Sequence, residues 1–154
     1  MHKWPQARNI LAECGPYQLQ AVLRTRGVHA EVEDLYLLPS FRERDWSLPW
    51  FMPAILRRYG IRSRWRYWGL RSFKRHLIDS LSRGTPVLLV INSIQGTGCL
   101  HWISAWGYDE SAGEFLCYDS QAISTESPHG NIRYSPFQLL KSLPYRGTFV
   151  VEVL

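Results

Sequence analysis

Apolar positions along this chain of 154 residues change their period several times. Leu19, Val22, Leu23 and Arg26 recur at helical spacing, and Gly27 stands where a left-handed C-cap is expected. The pattern predicts a helix from about Cys14 to Arg26, with Pro16 in its first turn, where a missing N–H costs nothing. A short helix is predicted over Val32–Leu38, with Glu31, Glu33 and Asp34 crowding its first turn. Residues 39–49 read as a loop, and Ser47 as a cap for a helix over Pro53–Gly60. Arg62–Trp68 alternates basic and apolar residues, the mark of a half-exposed strand. Phe73, Leu77, Ile78 and Leu81 return to helical spacing, between Ser72 as a cap and Gly84 as a terminator. Pro86–Ile91 is continuously apolar, as in a central strand covered on both faces.

The second half alternates. After a Gly-rich loop over Asn92–Leu100, the runs His101–Tyr108 and Glu114–Asp119 flank Asp109–Gly113 and predict an antiparallel hairpin. A polar loop over Ser120–Asn131 leads to Ser135-Pro136, a capped helix start; Pro144 stops that helix and Thr148–Leu154 forms a closing strand. Helices lead and antiparallel strands dominate the second half, so the expected class is α+β, in one domain over residues 1–154.

Composition narrows this little. Apolar residues make up 45% and charged residues 20%, an ordinary globular mixture, and no apolar run approaches the ~20 residues of a membrane span. The N-terminus lacks the apolar core of a secretory signal, which makes a cytoplasmic location the expectation. Three cysteines without a C-x-x-C pair argue against a disulfide framework. A zinc site from Cys14, Cys99, His101 and Cys117 lacks the close cysteine pairs such sites are built from, so no metal or cofactor is expected. The net charge of +5 is unevenly spread: from Arg57 to Arg75 there are eight basic residues and no acidic one, with Trp65, Tyr67 and Trp68 between them. Arg62, Arg64 and Arg66 could meet a nucleic acid or other polyanion, but a solvated face with arginine stems lying over aromatic rings is the simpler reading.

The candidate chemistry starts at Cys14. At a helix start, unpaired N–H groups and the helix dipole favour a thiolate, although a cysteine there is ordinarily just a small buried hydrophobe. A base is available in the hairpin. Closing it around residue 111 sets His101 opposite residues 119–122, and Asp119 comes within reach if the faces of the two strands coincide. A carboxylate there would hold the imidazole in one tautomer, making Cys14 nucleophile, His101 base and Asp119 orienter.

These residues carry a resemblance. The chain resembles papain-like cysteine peptidases of the double-glycine, bacteriocin-processing type. The likeness rests on Glu13-Cys14-Gly15-Pro16, Leu56-Arg57-Arg58-Tyr59-Gly60, Leu81-Ser82-Arg83-Gly84-Thr85-Pro86-Val87, and His101 to Asp109 with the strand ending at Asp119. The resemblance implies a central helix packed on an antiparallel sheet, a Cys14–His101–Asp119 triad and a peptide or protein substrate. It also implies an amide upstream of the cysteine to hold the oxyanion. Arg8 stands at the usual glutamine position, Asn9 offers the nearest amide, and Gln6 is further out of register. The thioester formed on Cys14 would serve hydrolysis, transfer to an amine or deamidation alike. In a different reading the triad is idle and the scaffold binds a partner through the arginine and tryptophan stripe.

Overall fold

The computed structural model describes residues 10–36, 38, 48–94, 99–122 and 132–154. Its elements in chain order are α1 (Ile10–Thr25), α2 (Val32–Tyr36), α3 (Phe51–Arg58), β1 (Ser63–Gly69), α4 (Leu70–Ser82), β2 (Val87–Asn92), β3 (Leu100–Asp109), β4 (Glu114–Tyr118), β5 (Ile132–Tyr134), α5 (Pro136–Ser142) and β6 (Gly147–Val153). The strands form one antiparallel sheet in the order β1-β6-β2-β3-β4-β5. The α+β class expected from the sequence is the one found.

Helices cover the sheet on both sides, and strand alternation divides the core accordingly. Val87, Leu89 and Ile91 of β2 pack with Phe73, Leu77 and Leu81 of α4 and Leu139 of α5. Leu88, from the opposite face of the same strand, packs with Leu19, Val22 and Leu23 of α1 and with Met52, Ile55 and Leu56 of α3. The continuous apolar run is thus a strand with no solvated side, as its composition requires. Each leucine of this set that is fully buried contributes roughly 2 kcal/mol through lost contact with water.

Local signals account for some boundaries. Just past the end of α1 stands Gly27 (φ 71°), the left-handed residue that lets Val28 N–H reach back to the Leu23 carbonyl. Ser135 caps α5 with the reciprocal bonds of a capping box, Gln138 answering from the third helical position.

Other boundaries differ from the sequence expectations. α1 begins at Ile10, four residues before Cys14, because Ile-Leu-Ala-Glu is itself good helix-forming sequence. Pro16 therefore lies inside the helix rather than in its first turn. α2 stops at Tyr36. α3 starts at Phe51, and Ser47 lies outside the described residues. Ser72 does not cap α4, which starts directly after Gly69; its hydroxyl bonds the Gly69 carbonyl from inside the helix. β5 is absent from the sequence expectations, since three residues are too few to display a period.

The hairpin holds one irregularity. Asp109 pairs with Glu114, Tyr108 with Phe115 and Gly107 with Leu116; pairing then resumes at Ala105 with Cys117 and Ser104 with Tyr118. Trp106 is the extra residue of a β-bulge. Because side chains alternate, that one residue exchanges the faces of everything beyond it.

Candidate active site

The bulge decides whether the hairpin can assemble a site. In the register set at the turn, Asp119 would continue opposite Ser104 and share its face, with His101 on the other side. With Trp106 bulged out, Asp119 continues opposite Ile103 and joins the face of His101. The coincidence of faces that a triad requires is met by this bulge. His101 Nε2 lies 2.8 Å from Asp119 Oδ1, and both side chains are out of contact with solvent.

Asp119 is held on every side. Its Oδ1 also accepts the Gln121 N–H at 2.8 Å, the local turn bond that aspartate favours, and its Oδ2 accepts the Tyr134 hydroxyl at 2.8 Å. Burial is the strongest influence on this carboxyl and acts to raise its pKa. The bond and charge of His101, the Gln121 N–H and the Tyr134 hydroxyl outweigh it, so the pKa is lowered. Sequence reasoning misses Tyr134 because it ends the short β5.

His101 follows the same logic with the opposite charge. Burial works against the imidazolium most strongly. Hydrogen bonding to Asp119, hydrogen bonding to Cys14 and the charges of both together overcome it, raising the pKa to about 9. The second ring nitrogen, Nδ1, is buried and has no well-formed hydrogen bond. Asp119 thus occupies Nε2 and leaves Nδ1 as the ring nitrogen without such a bond.

Cys14 is buried, with 3% of its surface exposed, and packs in the α1–α3 core beside Trp102. One turn further on, Gln18 is fully buried and fixes α1 to β3. Its amide donates to the Trp102 carbonyl at 3.2 Å, and its oxygen accepts from Ser104 Oγ at 2.6 Å, which in turn accepts from the Trp106 indole at 2.8 Å. Residues four apart share a helix face, so Gln18 sets the face that carries Cys14 toward β3. A glutamine among the apolar positions of α1 is the signal that could have found it.

The helix start at Ile10 corrects one expectation. Cys14 is the fifth residue of α1, where an N–H ordinarily serves the helical ladder and the dipole's pull has faded. The imidazole replaces the helix terminus as the charge beside the sulfur. Arg8 and Asn9, and with them the expected oxyanion amide, lie outside the described residues. Among the remaining candidates, Cys99 is exposed and Cys117 is buried in the core, where burial pushes its thiol pKa up.

Two of the three arginines considered for a polyanion have an internal partner. Arg64 Nε and Arg66 Nε lie 2.6 and 3.2 Å from Oε2 of the buried Glu152.

Solved structures share this architecture. A double glycine motif protease from an AMS/PCAT transporter, crystallised with its leader peptide, superposes with a TM-score of 0.66 at 15% identity, covering 100% of this chain and 91% of that one. The peptidase domain of Streptococcus ComA, a bifunctional ABC transporter of a quorum-sensing pathway, gives 0.64 at 15% identity, with 96% and 94% covered. The fold is that of a C39 peptidase domain. The N-terminal peptidase C39-like domain of a toxin-secretion ATP-binding protein from Vibrio parahaemolyticus agrees, at TM-score 0.60 and 18% identity over 92% and 98% of the chains. No family model matches the sequence, and neither does any curated protein. Among the described residues, no helix is long and apolar enough to cross a membrane.

Proposed function

We propose that this protein is a cysteine hydrolase that cleaves a peptide bond, with Cys14 as nucleophile, His101 as general acid and base, and Asp119 as the residue that orients His101. What carries the reading is the His101 ring: one nitrogen is taken by Asp119 at 2.8 Å, the other is buried without a well-formed bond, and Cys14 is close enough to raise its basicity. The C39 peptidase fold agrees with it.

In the proposed course the Cys14 thiolate attacks the scissile carbonyl carbon and the C–N bond breaks. His101 gives its proton to the departing amine, leaving a thioester on Cys14. Water then attacks the thioester, His101 takes its proton, and the acid is released as the thiolate returns. Asp119 stays ionised throughout and keeps Nε2–H bonded, so that Nδ1 performs each transfer.

The test combines a chemical probe with a substrate. Iodoacetamide should label Cys14 at pH 6 far faster than it labels a simple thiol. The leader peptide bound by the AMS/PCAT protease suggests the substrate to try, a peptide with a Gly-Gly pair ahead of the cut. Mass spectrometry should find a free carboxylate on the N-terminal product; an amide formed with an added amine would turn the reading toward acyl transfer. Cys14 labelling at the rate of an unassisted thiol, with its pKa near ~8.5, would overturn it.

A further inference from the structure

We propose that β1 is a docking edge for an extended acidic peptide segment of a partner protein, which joins the sheet as an additional strand. β1 ends the sheet, and among the described residues nothing pairs with its outer side. The Arg62 carbonyl accepts the Leu154 N–H at 2.8 Å and the register stays uniform along β1, so Arg64 and Arg66 turn their backbone groups toward β6. Ser63, Trp65 and Tyr67 then present their N–H and C=O groups outward. That is a template for another strand.

The side chains make the template selective. Trp65 and Tyr67 are 46% and 49% exposed and belong to a row of rings, with Trp50 at 6.3 Å from Trp65 and Phe149 at 6.1 and 5.4 Å from Trp65 and Tyr67. Exposed Arg64 and Arg66 are charges of the kind that deter pairing with a neutral or basic strand, while the large exposed rings that alternate with them favour a partner. Beside the row, Tyr67 donates to the Tyr145 carbonyl at 3.0 Å, and Tyr145 and Arg146 both hold a left-handed backbone, φ 55° and 58°. Strain of this kind in two consecutive non-glycine residues gathers at functional positions.

Charge selects the occupant. All eight basic residues between Arg57 and Arg75 are exposed, and no acidic residue stands among them. Glu152 answers only part of that charge. A peptide fits better than a nucleic acid for a geometric reason. Alternation puts Arg64 and Arg66 on one face of β1 and Trp65 and Tyr67 on the other. A single nucleic-acid strand needs rings and cations on the same surface, whereas an added β-strand of alternating acidic and apolar residues meets both faces. β1 is separated from β3 by β6 and β2, so the inference stands apart from the cysteine chemistry.

Fluorescence anisotropy with a labelled peptide of alternating glutamate and valine tests it. Binding should weaken as salt rises, and the lysine–valine counterpart should not bind. Trp65→Pro removes one outward N–H without breaking the ladder to β6; it should weaken binding roughly tenfold beyond the loss in Trp65→Ala, the worth of one hydrogen bond. Should the proline variant fail to fold, amide exchange on the unaltered protein decides, since the peptide should slow the Trp65 and Tyr67 N–H groups selectively. Equal binding of both peptides, unchanged exchange at those two amides, or binding of oligodeoxythymidine in place of the acidic peptide would overturn the proposal.

Discussion

Two carboxylates are buried in this sheet to almost the same degree, Asp119 fully and Glu152 to 2% exposure, and they keep opposite company. Glu152 is held by Arg64 and Arg66 and by the Ser80 hydroxyl at 2.8 Å. Burial pushes its pKa up, and these partners, led by Arg64, outweigh that and hold it below its ordinary value. Guanidinium groups do not give up a proton at any ordinary pH, so this cluster moves no proton, and toward the fold it serves to hold β1, β6 and α4 together. Asp119 has instead a partner that titrates, and Cys14 is among the groups that raise that partner's pKa. Equal burial with a fixed partner yields a structural pin; with a titratable partner it permits the proton transfers of the proposed mechanism.

Substitutions at the two clusters should separate those roles. The largest effect is expected from His101→Ala, which should lower iodoacetamide labelling of Cys14 at pH 6 by about 10²-fold, since an unassisted thiol is almost wholly protonated there. Glu152→Ala should leave that rate within about twofold, because it touches no group that charges the sulfur. A large drop in labelling for Glu152→Ala would dissolve the distinction.

The pH dependence of stability comes next. The folded pKa of His101, about 9, is above its ordinary 6.5. The stability it contributes is therefore complete below pH 6.5 and is lost as pH rises through 9. Asp119 has the opposite sign: its contribution is present above its ordinary 3.8 and is lost as pH falls through its lowered value. Their joint contribution is greatest between those two ordinary values. Urea midpoints should show about 3 kcal/mol of alkaline loss by about pH 9.5, absent in His101→Ala. Glu152→Gln should instead cost about 2 kcal/mol across the neutral range, less than a fully enclosed pair would lose, because both guanidiniums are half exposed and can turn to water.

The two clusters are not equally legible in the sequence. His101 and Asp119 stand out because hairpin arithmetic brings them close, α4 and β2 emerge from their periods, and α5 from its cap. The bulge at Trp106 cannot be read, although the site depends on it, because one tryptophan in an alternating strand carries no signal of being extra. The start of α1 is misplaced because Pro16 resembles a first-turn marker, while tertiary packing tolerates it deeper in the helix. Glu152 resembles the solvated position of a final strand. Its burial depends on arginines 86 and 88 residues away, a contact that no local pattern encodes.

Tyr134 gives the smallest and most discriminating contrast. Its hydroxyl donates to Asp119 Oδ2 at 2.8 Å and the ring is fully buried, so Tyr134→Phe removes that bond while keeping the packing. If Asp119 were a pin like Glu152, the change would only cost stability, about 1–2 kcal/mol for a bond to a charged acceptor. If Asp119 works through His101, a second readout must move as well. With that donor gone the carboxylate's charge is shared with one partner fewer and falls more fully on the imidazolium. The alkaline inflection in Cys14 labelling should then rise above about pH 9, opposite to the fall expected from Asp119→Asn. The matching removal at the other cluster, Ser80→Ala, takes one hydroxyl from Glu152 and should lower the urea midpoint alone.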